Sequence, residues 1–166
     1  HPLYARALAI REKSFGPEHP KVAGSLNDLA WLLYVQGFYG EARPLYERSL
    51  AIREKSLGSD NMSVAQSLNN LAMLLAVQGL YGEARPLYER ALTSYEKALG
   101  PEHPWVAIAF SNLANLLRDQ GSHAEARPLF ERSLAIREKA LGPEHPDVAD
   151  SLNNLASLLK IQGSYA

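Results

Sequence analysis

The chain has 166 residues, 46% hydrophobic and 21% charged, with 17 Lys and Arg against 18 Asp and Glu and no cysteine. That length suits one domain with a sizeable core, the net charge of -1 gives no electrostatic ground for nucleic acid or an anionic membrane as partner, and the missing thiols exclude disulfides, thiolate metal sites and a cysteine nucleophile. No apolar run approaches the roughly 20 residues of a membrane span, and the N-terminus lacks a signal-peptide layout, so the expectation is a soluble, cytoplasmic protein.

The chain repeats. Gly37, Gly79, Gly121 and Gly163 stand 42 residues apart, as do Gly16, Gly58, Gly100 and Gly142, and the words of residues 42–55 return at Ala84 and Ala126. A fixed period in the range of about 20 to 50 residues signals a solenoid, whose units bury by stacking a face that none buries alone.

In chain order, residues 2–14 align with 44–56, so the sequence opens partway into the second helix of a unit. Gly16-Pro17-Glu18-His19-Pro20 follows, where Gly ends one helix and Pro suits the first turn of the next. His19 then falls at the N-cap. Its counterparts are His103, His145 and, in the divergent copy, Asn61, a strong N-cap type. Three histidines one period apart invite a metal reading, but stacked units hold them about a repeat apart, too far to share an ion. From Pro20 to Gln36, Leu26, Leu29, Ala30 and Leu33 recur at helical spacing; this is helix A. Helix B runs from about Gly40 to Leu57, with Pro44 close to its start. The pattern repeats with A over about 62–78, B over 82–99, A over 104–120, B over 124–141 and A over 146–162. Eight helices and no strands result. The domain reading is a single array over 1–166: a partial unit 1–14, units of about 20–57, 62–99 and 104–141, and a partial unit 146–166.

Leu26, Leu29, Ala30, Leu33, Gly37, Tyr39, Ala42, Tyr46 and Ser49, with the Leu-Gly-Pro-Glu-His-Pro linkers, resemble the tetratricopeptide repeat in the 42-residue form typical of kinesin light chains and of many bacterial repeat proteins. Ser49 occupies a place where that family usually has Ala, as Ala91 does here. The resemblance covers essentially the whole chain. It implies an all-α fold, a right-handed solenoid of antiparallel helix pairs whose A helices line a concave groove that binds peptides or protein segments.

Helical geometry, at about 100° per residue, separates the faces of helix A independently. Leu26, Leu29, Ala30 and Leu33 share the core side; Gly24, Asn27, Asp28, Trp31, Tyr34 and Val35 form the opposite stripe. Carried along by 42 residues, the stripe is Gln66, Asn69, Asn70, Met73, Ala76 and Val77; then Ile108, Ser111, Asn112, Asn115, Arg118 and Asp119; then Asp150, Asn153, Asn154, Ser157, Lys160 and Ile161. Its first half is apolar and aromatic and its second polar and charged, so one composite site would place bulky apolar groups near Trp31, Tyr34 and Met73 and polar ones near Arg118, Asp119 and Lys160. Asn is a poor helix former, yet it stands mid-helix at 27, 69, 70, 112, 153 and 154. Two readings stand. Side-chain amides offer donor and acceptor together and hold an extended peptide whatever its sequence, a use that the resemblance implies for these positions. Alternatively, one Asn was copied by duplication, or the amides bond to neighbouring helices.

The other candidates read as structure. Trp105 follows Pro104 and packs on the surface; Tyr46, Tyr88 and Phe130 recur as fillers of helix B; Arg43–Glu47, Arg85–Glu89 and Arg127–Glu131 are i, i+4 pairs on a solvated face; the Arg-Glu-Lys endings of the B helices suit the helix dipole; His123 is a turn variant. No nucleophile turn, phosphate loop or metal-ligand cluster accompanies the Ser, His and Asp residues, so neither an enzyme nor a cofactor is expected. The sequence begins in a B helix without its A partner and stops after an A helix without its B partner, which suggests a fragment of a longer array. It also predicts head-to-tail stacking of copies through Leu3, Tyr4 and Leu8 against Leu152, Leu155, Ala156 and Leu159, with Ala166 of one copy meeting His1 of the next. The leading function is a non-catalytic scaffold for a peptide or protein segment; the alternatives are a spacer or sensor arm of a larger regulatory protein, and a consensus-like array, raised by about two-thirds identity between 43–82 and 127–166.

Overall fold

A computed structural model describes residues 2–163, and among them eight helices and no strand. The helices are α1 (Pro2–Phe15), α2 (Pro20–Val35), α3 (Tyr39–Leu57), α4 (Met62–Val77), α5 (Tyr81–Leu99), α6 (Pro104–Asp119), α7 (His123–Leu141) and α8 (Pro146–Ile161). Every expected helix is present within a residue or two. The expected meeting of Ala166 with His1 lies outside the described residues.

Two turns alternate, and each has a local cause. After an A helix the chain makes a single tight turn: in α2, Phe38 N–H returns to the Leu33 carbonyl at 2.9 Å and Gly37 N–H to the Tyr34 carbonyl at 3.0 Å, with Gly37 in the left-handed region at φ 82°. After a B helix, Gly58 adopts φ 81°, ψ 160°, a region essentially closed to side chains. The linker then enters the next helix through a side-chain cap, as expected: Nδ1 of His19, His103 and His145 accepts from the backbone N–H of Lys21, Trp105 and Asp147, and Asn61 Oδ1 from that of Ser63 at 2.8 Å. The B helices begin without a side-chain cap at Phe38 and Ser122. Because α3 starts at Tyr39, Pro44 is its sixth residue, and the missing N–H forfeits the bond to the Gly40 carbonyl.

The chain divides into two compact units, His1–Ser94 and Tyr95–Ala166. In the first, α2 packs against α1, α3 and α4, and α3 against α4. Val22, Ala23, Leu26 and Ile52 form its buried cluster, with Leu8 and Leu45 against it. In the second, α7 packs against α6 and α8, burying Val106, Leu113, Leu117, Phe130, Ile136 and Val148. The apolar set read from the pattern of helix A is the core that forms: Leu26, Leu29, Ala30 and Leu33 are all buried, as are Tyr46, Tyr88 and Phe130 of the B helices.

Buried polar groups join A to B. Ser49 donates its hydroxyl to the Ala23 carbonyl and Ser133 to the Ala107 carbonyl, each at 2.8 Å. A serine where the related motif carries alanine thus ties a B helix to the backbone of the A helix that it crosses. The lysines of the Arg-Glu-Lys endings stand in the last turns of the B helices, as expected, but the arginines go elsewhere. Arg53 is only 9% exposed and, instead of lying along its own helix end, it crosses to the next A helix and donates to the Ser63 carbonyl and Ser67 Oγ, each at 2.8 Å. Arg11 does the same to Ser25 Oγ at 2.6 Å and Arg137 to Ser151 Oγ at 2.8 Å. The one unit that departs has Tyr95 and Ala109 at these two positions, and there the Tyr95 ring stacks on Trp105 with centroids 6.0 Å apart.

Candidate functional site

The residues of the A-helix stripe do not share one environment. On α2, Trp31 stands 47% exposed. Its indole stacks on Tyr34 at 5.4 Å between centroids with the planes 21° apart, and Tyr39, the first residue of α3, leans on Tyr34 at 5.6 Å. Trp31 and Tyr34 meet because residues i and i+3 share a helix face; Tyr39 reaches them because the tight turn at Gly37 brings the start of α3 back beside the end of α2. Tyr39 belongs to the family motif in the sequence, and it joins this cluster only through the turn.

Below the cluster lie further phenols. Burial, and then the neighbouring Tyr39, push the Tyr34 hydroxyl above the ordinary tyrosine range. Tyr46 and Tyr88 are pushed further up, by burial first and by Tyr34 second. The Tyr46 side chain is fully buried, and its hydroxyl has no hydrogen-bond partner.

The amides partly answer the question that the sequence leaves open. Asn70 Nδ2 on α4 donates to Asn27 Oδ1 on α2 at 2.9 Å, linking two A helices across the open face. Asn69, Gln66 and Met73 are half-buried beside them. In the second unit, Asn112 and Asn115 are half-buried on α6, Asn154 is half-buried and Asn153 exposed on α8. Arg118 is held by its neighbour Asp119, with Nε and Nη2 at 3.1 and 2.9 Å from Oδ1. One stripe residue is misplaced by the sequence reading: Ser111 is buried, and its hydroxyl meets Ser133 Oγ at 2.7 Å. Since Ser133 already donates to the Ala107 carbonyl, Ser111 is the donor. A serine is too short to reach the open face from a position where Asn27 does so, and it turns inward instead.

The side faces of the B helices are more connected than an isolated solvated surface. The three i, i+4 pairs form, with Arg43–Glu47 and Arg127–Glu131 at 2.8 Å and Arg85–Glu89 at 2.9 Å. Arg43 also bridges to Glu83 on α5 at 2.8 Å, and these two carboxylates hold its guanidinium above its ordinary range. A cavity of about 360 Å³ opens between the divergent linker and α5, lined by Ser59, Asp60, Pro86, Glu89, Arg90, Thr93 and Ser94. The other linkers place Pro where Ser59 stands, and other B helices place Ile where Ser94 stands, so two missing apolar fillers open this space. Ser94 Oγ donates to the Ser59 carbonyl at 3.0 Å. The departure of Thr93-Ser94-Tyr95 from the Ala-Ile-Arg of its counterparts is the signal by which sequence reasoning could have found both the cavity and the changed junction. Among the described residues no three His, Asp or Glu side chains come together as a metal site, and no helix is long and apolar enough to cross a membrane.

A family model, the tetratricopeptide repeat, matches residues 2–55, 32–76, 63–139 and 106–166. The chain belongs to the tetratricopeptide repeat family. Its repeats are of the kind that mediate protein–protein interaction, in a family of non-catalytic scaffolds. Among solved structures it is similar to BtubC (BKLC) from P. vanneervenii, with a TM-score of 0.88 at 28% identity over 98% of this chain and 65% of that one. It is also similar to a Podosopora anserina protein named for kinesin light chain and built of nearly identical TPR-like repeats, with a TM-score of 0.83 at 32% identity over 98% of this chain and 77% of that one. A point-substituted form of the latter gives 0.84, again at 32% identity, over 98% and 76%. This chain therefore spans less than two thirds of the length of BtubC. No curated protein matches it. The fold is that of these α-solenoids, as the repeat period predicted.

Proposed function

We propose that the first unit of this tetratricopeptide chain is a binding module that holds an extended segment of a partner protein across the open faces of α2 and α4. The observation that carries this reading is the Asn27–Asn70 pair beside the Trp31–Tyr34 stack. Once bonded to each other, the two amides still have N–H donors on both Asn27 Nδ2 and Asn70 Nδ2, and an acceptor in Asn70 Oδ1. A peptide backbone asks for one of each. The half-exposed indole next to them supplies apolar contact area at low entropic cost, as interface anchors do. The amide–amide bond favours preorganisation of the face over an accidental copy, because it fixes both side chains before a ligand arrives. Hydrogen exchange with a pool of capped random peptides tests this. Protection of α2 and α4 that is lost in Asn27→Ala/Asn70→Ala supports the reading, and protection unaffected by that pair of changes overturns it.

A second reading, stacking of copies end to end, has its own observation. Tyr4 is exposed where Tyr46 is fully buried, and Leu152 is exposed where Leu68 is buried. Sedimentation over a concentration series tests it: association that Leu3→Glu and Leu152→Glu each abolish supports stacking, and a monomer at all concentrations refutes it.

A further inference from the structure

The two units treat the C-terminal ends of their A helices differently. The C-terminal end of an α-helix carries a partial negative charge even where the following turn bonds its last carbonyls, as it does for α2, and a cation in the last turn offsets that charge. In the second unit each A helix supplies that cation, Arg118 on α6 and Lys160 on α8. In the first unit neither does: the last turns of α2 and α4 contain no basic residue, and the positions equivalent to Arg118 and Lys160 are Tyr34 and Ala76. What stands there instead is a pair of stacked aromatic rings, Trp31 on Tyr34, at the end of α2. The one formally charged residue on this stripe is Asp28, exposed one helical turn before Trp31. The C-terminal pole of α2, the exposed indole of Trp31 and the Asp28 carboxylate one turn before it therefore lie along a stripe that in the other unit ends in a guanidinium or an ammonium. All three favour positive charge.

We infer that the first unit takes a cationic side chain, an arginine or lysine of the bound segment, against the Trp31–Tyr34 stack at the C-terminal end of α2. This rests on the reading of the α2–α4 face as a peptide site and adds the chemistry of its ligand. The amide pair Asn27–Asn70 grips backbone without regard to sequence, and the aromatic stack with Asp28 selects the charge. Ala76, small and half-buried on the neighbouring helix, leaves room for that side chain where Lys160 of α8 would fill it.

Three capped peptides of one length test this, built as repeats of Gly-Ala-Arg, Gly-Ala-Glu and Gly-Ala-Ser. Binding is followed by the indole N–H resonance of Trp31, with Trp105 as internal control. The arginine peptide is expected to bind roughly five- to tenfold more tightly than the serine peptide and to weaken with added salt, shifting Trp31 and leaving Trp105 in place. Asp28→Asn, read on the Trp31 resonance, and Trp31→Ala, read by hydrogen-exchange protection of α2 and α4, each reduce that preference about two- to fivefold. Ala76→Arg, which gives α4 the cation that α6 carries, removes it. If all three peptides protect α2 and α4 equally, or the glutamate peptide binds best, the cation inference is overturned and the peptide site stands. If none of them perturbs α2 or α4, both fall.

Discussion

Two junctions built on the same 42-residue plan solve one problem in different ways. Between α3 and α4, Arg53 crosses to the Ser63 carbonyl and the Ser67 hydroxyl, and Asn61 caps the next helix. Between α5 and α6, Tyr95 takes the arginine's place, Ala109 the serine's, and Trp105 stacks on the phenol ring above a His103 cap. The first is a buried, charge-assisted hydrogen-bond junction and the second is aromatic packing. Each is complete only as a set: a guanidinium needs its hydroxyl and carbonyl, and a large ring needs the space that alanine leaves. Buried polar groups are costly alone and near neutral when paired, which is why the positions change together.

The comparison breaks most severely if the sets are mixed. Tyr95→Arg, which puts a guanidinium against Ala109, is expected to cost about 2–4 kcal/mol in urea unfolding. Adding Ala109→Ser and Trp105→Ser recovers about 1–2 kcal/mol of that through coupling. Arg53→Met takes the guanidinium away from the Ser67 hydroxyl and the Ser63 carbonyl, at a cost of about 2 kcal/mol by thermal melting. Asn61→Ala removes the cap peculiar to the first junction and costs about 1 kcal/mol by the same measurement. Ser59→Pro with Ser94→Ile restores the fillers found in the sister units, closes the cavity beside Arg90 and raises stability by about 0.5–1.5 kcal/mol.

The smallest effect concerns a phenol with no partner. At neutral pH, Tyr46→Phe shifts stability by less than about 0.5 kcal/mol, or raises it, because it deletes a buried hydroxyl that bonds to nothing. Alkaline titration separates the two proteins. Burial holds the folded-state Tyr46 above its unfolded value, so its neutral form favours folding below about pH 10, and that advantage is lost as pH rises further. The variant therefore loses less stability above about pH 10, by up to about 1.4 kcal/mol for each pH unit.

Most of the fold could be read before any coordinate. Glycine and proline at a fixed period set the turns, and the spacing of Leu26, Leu29, Ala30 and Leu33 set the core face of helix A, because both signals are local. The N-caps were legible for the same reason: the exchange of His for Asn61 keeps a side-chain acceptor and little else. What escaped depends on where a long side chain goes. Arg53 sits in a run of charged residues, and nothing local says that it will leave its own helix for the next. Ser111 lies on the open side of a helical wheel, yet Ser133 draws it inward. The aromatic cluster needed Tyr39, which a wheel drawn for one helix cannot include.

The matched sets at the junctions also bear on how such a chain can change its number of units. Near-identical segments invite unequal exchange in whole periods, and a cut made in the tight turn after an A helix carries Arg53, Ser63 and Ser67 together, or Tyr95, Trp105 and Ala109 together. A cut in the linker after a B helix separates them, delivering an arginine to an alanine or a tyrosine to a serine. By this grammar, lengthening or shortening the chain is tolerated at Gly37, Gly79 or Gly121 and penalised at Gly58 or Gly100, although both sets of glycines repeat every 42 residues.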